Sequence, residues 1–216
     1  MILWYAFKEL ANSVAMLVTC AASPRRYILP SRMALLLALV TITASTSSLA
    51  EQHTNIAELR AAYYFNALKF TRWPVEQLDS QSPLNIVLVG SDSVSDILAQ
   101  KLPDYLIHGH KLSVSSLTAE QANGQSNKDL LDKAHAIYFA ENTEDKYPYI
   151  LGNLKRPVLT GSSIESFANH GGMVEIAYRK QSQKLVFHIN TDNLKQSNIS
   201  ISSKLMKISN IVTDHQ

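Results

Sequence analysis

Apolar residues in the first half of the chain fall into two alternating kinds of pattern. Ile56, Leu59, Tyr63, Ala67 and Phe70 recur at three- and four-residue spacing, one stripe of a helix, while Tyr64, Phe65 and Leu68 add a second apolar face. Thr54 or Asn55 can cap this helix, and Pro74 disfavours helical geometry at Trp73, so a helix is predicted over Ile56–Trp73. Leu84–Val89 (LNIVLV) is instead a continuous apolar run, the signature of a strand buried on both faces. A turn at Gly90-Ser91-Asp92 leads to a helix over Val94–Leu102, ended by Pro103. Lys111–Leu117 alternates around Leu112, Val114 and Leu117 as a strand does. After a polar loop at Asn123–Asn127 come a helical turn (Asp129–Lys133), a second buried strand (Ala136–Ala140) and a helix within Asn142–Leu154. A short strand at Pro157–Thr160 and a helix at Ser163–Asn169, closed by Gly171, complete the series.

The ending changes character. Met173–Arg179 and Lys184–Asn190 both alternate across the polar stretch Lys180–Gln183, which predicts an antiparallel hairpin. Within it, His188 sits between Phe187 and Ile189 and should face away from the apolar side. Gly171-Gly172 stands where a helix must turn at once into a strand, a junction that calls for positive φ. Valine at either position should cost roughly 1–3 kcal/mol if that conformation is left-handed. The tail Ile201–Val212 carries Ile201, Leu205, Ile208 and Val212 on one helical stripe. Together these elements predict an α/β fold: a single three-layer domain with a mostly parallel sheet, a C-terminal antiparallel hairpin and terminal helices.

Composition changes the picture at the N-terminus. Ala34–Ile42 is an apolar run far short of the ~20 residues that span a bilayer. Arg25, Arg26 and Arg32 precede it, and Ser48-Leu49-Ala50 closes it with small side chains where a signal peptidase reads. Residues 1–50 therefore read as a leader, with cleavage expected after Ala50 and residues 51–216 forming the folded domain. A secretory signal rarely has so long a preamble, so residues 1–24 are expected to lie upstream of the true start. The leader holds Lys8, Arg25, Arg26 and Arg32 against Glu9, so the formal charge of +2 becomes 2 − 3 = −1 on its removal. Nucleic acid is not an expected partner on electrostatic grounds. Cys20, the only cysteine, leaves with the leader, and with it any disulfide.

The chain lacks the usual signatures of catalysis. It has no phosphate-binding glycine loop, no Gly-x-Ser-x-Gly and no His-Glu-x-x-His. Ser91, Asp92 and His170 can be drawn as a triad, but nothing in the sequence activates the serine. His108-Gly109-His110 offers two imidazoles with no third ligand nearby, and reads as a polar turn. Ser91, Asp92 and Ser93 follow the first buried strand, and Ser162 and Ser163 follow Val158–Thr160. Both loops should lie at the carboxyl ends of strands, where open α/β sheets take ligands. They are the candidate loops for a small polar ligand, and capping of the next helices is the competing explanation. No catalytic residue, cofactor or metal is expected.

Two passages carry a resemblance. Ala61-Ala62-Tyr63-Tyr64-Phe65-Asn66-Ala67-Leu68-Lys69-Phe70-Thr71-Arg72-Trp73-Pro74 resembles the opening helix of the YfiR-like family of periplasmic regulators. Arg156–Thr160, Phe167, Gly171-Gly172-Met173, Phe187, Ile189-Asn190 and Ile201–Leu205 are similar to its C-terminal half. The resemblance implies a non-enzymatic periplasmic protein that represses an inner-membrane diguanylate cyclase by binding its periplasmic portion. It further implies sequestration by an outer-membrane lipoprotein, and self-association, with a homodimer as the simplest form. Where the family often has a cysteine, this chain has Ala134-His135, which argues against redox control. The aromatic residues of the first passage are expected in the core. Partner contact is expected on the exposed side of the hairpin, through Ile176, Tyr178 or Phe187. The competing function is that of a periplasmic sensor domain that binds a small ligand.

Overall fold

The computed structural model describes residues 47–213 apart from 75, 77, 79–81 and 156, with side chains from Ile56 onward. Residues 1–46 of the expected leader lie outside the described residues. Residues from Leu49 onward form one compact unit.

The described residues open with helix α1 (Ser47–Phe70), which starts upstream of the expected caps at Thr54 and Asn55. It also ends earlier than Trp73. Thr71 turns its hydroxyl back to the Ala67 carbonyl at 2.7 Å, and Thr71–Arg72 continues as a short strand, β1. Strands β2 (Leu84–Val89), β4 (His110–Leu117), β5 (Ala136–Phe139), β6 (Leu159–Ser162), β7 (Val174–Arg179) and β8 (Lys184–Asn190) form the body of the sheet. The two-residue β3 (Leu106–Ile107) and the terminal β10 (Ser209–Val212) bring it to eight strands, ordered β10-β8-β7-β6-β5-β2-β4-β3. All the pairings are parallel except β7 with β8 and β3 with β4. The expected hairpin is the β7–β8 pair, with Val174 opposite Ile189 and Arg179 opposite Lys184.

Helices lie on both faces. One face of the sheet, through Ile86, Leu88 and Tyr138, packs under α1 and α2 (Ser93–Lys101). The other, through Val87, Val89, Ile137 and Phe139, packs under α3 (Ala119–Asn123), α4 (Lys128–Asp132) and α5 (Tyr147–Gly152). The apolar runs of β2 and β5 are thus buried on both sides, which makes the molecule a three-layer α/β domain. α1 lies close on the sheet because Gly161 faces Tyr64: a Cβ there would stand 2.4 Å from the ring. The Tyr64 hydroxyl is buried and finds no hydrogen-bond partner among the described residues. Burial also pushes its ionisation far above the usual phenol range. Tyr64→Phe removes that unpaired group and is expected to raise stability by about 1 kcal/mol. A fall in melting temperature would contradict this.

Two sequence expectations are corrected. Ile201–Val212 is not a helix: after helix α6 (Thr191–Gln196), β9 (Ser200–Ile201) pairs antiparallel with β1, a four-residue helix α7 (Ser203–Met206) follows, and β10 ends the described chain. Long-range pairing with Thr71–Arg72 and with β8 overrides a local helical stripe too short to hold by itself. Between Ser163 and Gly171 the only helical turn is a 3-10 turn over Phe167–His170, entered through Ser166 at φ 61. The helix expected within Asn142–Leu154 is α5, and a 3-10 turn (Glu141–Thr143) comes just before it.

Gly171 has φ 96, as a left-handed junction requires. Gly172 has a different reason. A Cβ there would stand 2.1 Å from the Phe167 ring, and its N–H donates to the Phe167 carbonyl at 2.9 Å.

Candidate functional site

The parallel core runs β4-β2-β5-β6-β7, so the order reverses between β2 and β5. In open sheets of this type the crevice at such a switch, at the carboxyl ends of the strands, is the usual place for a ligand. Here it is filled. The backbone N–H of Ser91 donates to Asn142 Oδ1 at 3.0 Å, and that of Glu141 donates to Asp92 Oδ2 at 2.9 Å. A Cβ on Gly90 would stand 2.3 Å from the Asn142 side chain. Asp92 Oδ1 meanwhile accepts the Ser95 N–H at 2.7 Å and Ser95 returns the contact, a reciprocal cap on α2.

Two clefts flank this plug. The smaller, about 430 Å³, lies between the ends of β2 and β4 and includes Ser91, Thr118, Glu120 and Lys146. The Lys146 ammonium hydrogen-bonded to Glu120 holds that carboxyl down at about 2. Lys146→Ala should raise the Glu120 midpoint toward the ordinary carboxylate range in an NMR titration; an unmoved midpoint would refute the pairing. The larger cleft, about 670 Å³, lies across the ends of β5 and β6 and the exposed side of the hairpin.

That larger cleft holds the most unusual group in the domain. Glu175 is 2% exposed, yet carries a carboxylate. Its Oε2 accepts the Ala168 N–H at 3.2 Å, and its Oε1 lies 3.2 Å from His188 Nδ1. Glu175 and His188 stand directly opposite in the hairpin, so the face that His188 was expected to turn away from the core is this one. Asn190 holds the same turn from below, donating to the Ala168 carbonyl at 2.8 Å. On the cleft's other wall, Arg60 of α1 pairs with Glu141 at 2.5 Å. Arg179 and Lys180 stand at the rim. The cleft therefore mixes both signs of charge around one buried carboxylate, a lining suited to a small polar or zwitterionic molecule. Sequence reasoning missed Arg60 and Glu175. The opposite placement of Glu175 and His188 was implicit in the hairpin register and was the signal that could have found Glu175; nothing in the sequence brings Arg60 to them.

The candidate loops are not brought together. Ser91 opens into the smaller cleft and Ser163 into the larger, while Ser93 is an exposed residue at the start of α2. Ser162 is spent on structure, donating to the Phe139 carbonyl at 2.8 Å and accepting the Ile164 N–H at 2.9 Å. Ser163 accepts from the Tyr138 hydroxyl at 3.2 Å. Burial drives that phenol's ionisation well above its usual range.

The hairpin patch is also corrected. Ile176 is 0% and Phe187 3% exposed, and only Tyr178 keeps part of its surface. Phe187 stacks on Tyr63 with ring centroids 4.9 Å apart. α1 covers this face because leaving either side chain in water would forfeit about 1.5–3 kcal/mol. The two histidines of the polar turn go separate ways: His108 Nε2 reaches the Thr71 carbonyl at 2.9 Å and His110 Nδ1 the Ser82 carbonyl at 2.8 Å.

The two passages singled out in the sequence meet in space. β1, at the end of the first, pairs with β9 of the second, and the Ser202 N–H donates to the Phe70 carbonyl at 2.8 Å. The sequence matches the profile of the YfiR/HmsC-like family over residues 57–210. The chain belongs to that family. Membership of the YfiR/HmsC-like family suggests a periplasmic regulatory role. No curated protein matches it. Among solved structures it is similar to a conserved domain protein from Vibrio cholerae O1 biovar El Tor, at 11% identity and TM-score 0.47, over 61% of this chain and 55% of that one. The ABC domain in complex with L-Trp from Streptococcus pneumonia matches at 12% identity and TM-score 0.47, over 64% and 58%. An imine reductase from Pseudomonas sp. matches at 12% and TM-score 0.33, over 62% and 57%. The YfiR/HmsC-like chain thus spans a little over half the length of each. Among its described residues no helix is long and apolar enough to cross a membrane.

Proposed function

We propose that this protein is a periplasmic repressor, exported by a signal peptide cut after Ala50. It would bind the periplasmic portion of an inner-membrane diguanylate cyclase and favour its inactive state, lowering cyclic di-GMP and biofilm formation. An outer-membrane lipoprotein would relieve the repression by sequestering it. The observation that carries this reading is the extent of the family match, which spans α1 to β10 and so covers the packed unit rather than one motif. The pairing of β1 with β9 supports it, since the residues of the resemblance hold one another in place. The test is cellular cyclic di-GMP in a deletion strain that expresses a cognate cyclase. A rise, reversed on complementation, is expected; an unchanged level would refute repression.

A second reading, that of a small-ligand sensor, is favoured by the larger cleft with its buried Glu175. The two are compatible if ligand tunes repression. It predicts a thermal shift of the purified protein with a class of small zwitterions, lost in Glu175→Gln; no shift across a library of amino acids would count against it.

A further inference from the structure

The eight-stranded sheet has two edges, built differently. At one, β3 is only two residues long, and Tyr105 beside it rests on Phe65 with ring centroids 4.7 Å apart. At the other, β10 runs Ser209–Val212 beside β8 and carries neither charge nor proline. Charged side chains and prolines in the strand are usual guards of an edge, whose outward N–H and C=O groups otherwise stand open to another chain. Around this edge Ile208 is 72% and Ile211 49% exposed. Lys204 and Lys207 are exposed too, and neither makes an ion pair among the described residues.

We infer that β10 accepts an added strand from another protein, an extended segment in which apolar residues alternate with Asp or Glu. Main-chain hydrogen bonds would extend the sheet, as in known strand-addition complexes, with alternate side chains giving selectivity. Ile208 and Ile211 supply the apolar contact, and Lys204 and Lys207 the charge that selects carboxylates. Two-fold pairing of β10 with a second copy is the competing arrangement, and a dimer in sedimentation distinguishes it. A lipid surface, for its part, has no use for open main-chain groups. This inference goes beyond the repressor reading. Peptide binding reports on the edge alone and cyclic di-GMP on regulation, so either can fail without the other.

The probe is a fluorescein-labelled eight-residue peptide alternating valine and glutamate, titrated into the purified protein and followed by anisotropy. Saturable binding is expected, at least tenfold tighter than for the peptide with lysine in place of glutamate. N-methylation of alternate peptide bonds should weaken it at least tenfold, as should Ile211→Lys or, as an independent variant, Ile208→Lys. Lys204→Glu with Lys207→Glu should reverse the charge preference. Absence of saturable binding, or indifference to the charge reversal, would overturn the inference. So would a dimer in sedimentation that Ile211→Lys abolishes, which assigns the edge to a second copy. Sedimentation with phosphatidylglycerol vesicles, lost in the lysine variants, would assign it to a membrane and overturn it equally.

Discussion

Gly172→Val is expected to lower the melting temperature by roughly 6–12 °C, the equivalent of about 3 kcal/mol in a domain of this size. The side chain would be built into the Phe167 ring, with a Cβ 2.1 Å from Cε1 and 2.2 Å from Cδ1. Phe167 cannot retreat: it is 0% exposed, and it packs against Tyr147 and Phe139 with centroids 5.0 and 5.8 Å away. Moving it would disturb the turn that Glu175 and Asn190 hold at Ala168, and so the wall of the larger cleft. Gly171→Val is expected to cost less, because a Cβ there meets only Leu151 at 3.7 Å and the penalty is that of the left-handed backbone. Thermal denaturation of both variants decides the matter. Equal, small shifts would show that the close approach of Gly172 to Phe167 does not constrain the fold.

Trp73→Ala is expected to destabilise the domain by about 3–5 kcal/mol, the usual range for deleting a buried indole. Trp73 is buried in the core beneath α1, and its Nε1 donates to the His135 carbonyl at 2.7 Å. That carbonyl also accepts the Leu159 N–H at 3.0 Å, and His135 Nδ1 accepts the Asn85 N–H at 3.0 Å. Trp73 and His135 together thus tie the exit of the first helix to the entry of the three central strands β2, β5 and β6. Trp73→Phe keeps most of the volume and loses the hydrogen bond, so about 1 kcal/mol is expected. Denaturant unfolding of the two variants separates packing from hydrogen bonding. A Trp73→Ala protein as stable as the parent would remove this residue from the framework.

How much of this was legible in the sequence depends on how far each element relies on distant partners. The runs LNIVLV and AIYF could be read as buried strands because two covered faces demand continuous apolar residues, whatever lies on either side. The hairpin was legible from its alternation and its polar turn, and the glycine pair from the abruptness of a helix-to-strand junction. The segment after Asn198 was not. Its elements are two to four residues long, shorter than any period can show, and their partners are Thr71–Arg72 and β8, far away in sequence. Misreading it as a helix hid the open edge with Ile208 and Ile211, and moved the search for a contact surface to residues that α1 covers. The larger cleft was hidden for a related reason. Its arginine, its buried carboxylate and its histidine come from α1 and the hairpin, and no local spacing announces that these meet.

The most direct measurement of the account as a whole uses membranes that contain a cognate diguanylate cyclase with its periplasmic portion accessible. Adding the purified protein, residues 51–216, should lower cyclic di-GMP synthesis in a saturable manner, and the protein should be recovered bound to the cyclase in a stoichiometric complex. Synthesis that continues unchanged, with no protein retained on those membranes, would contradict a regulator that works by binding.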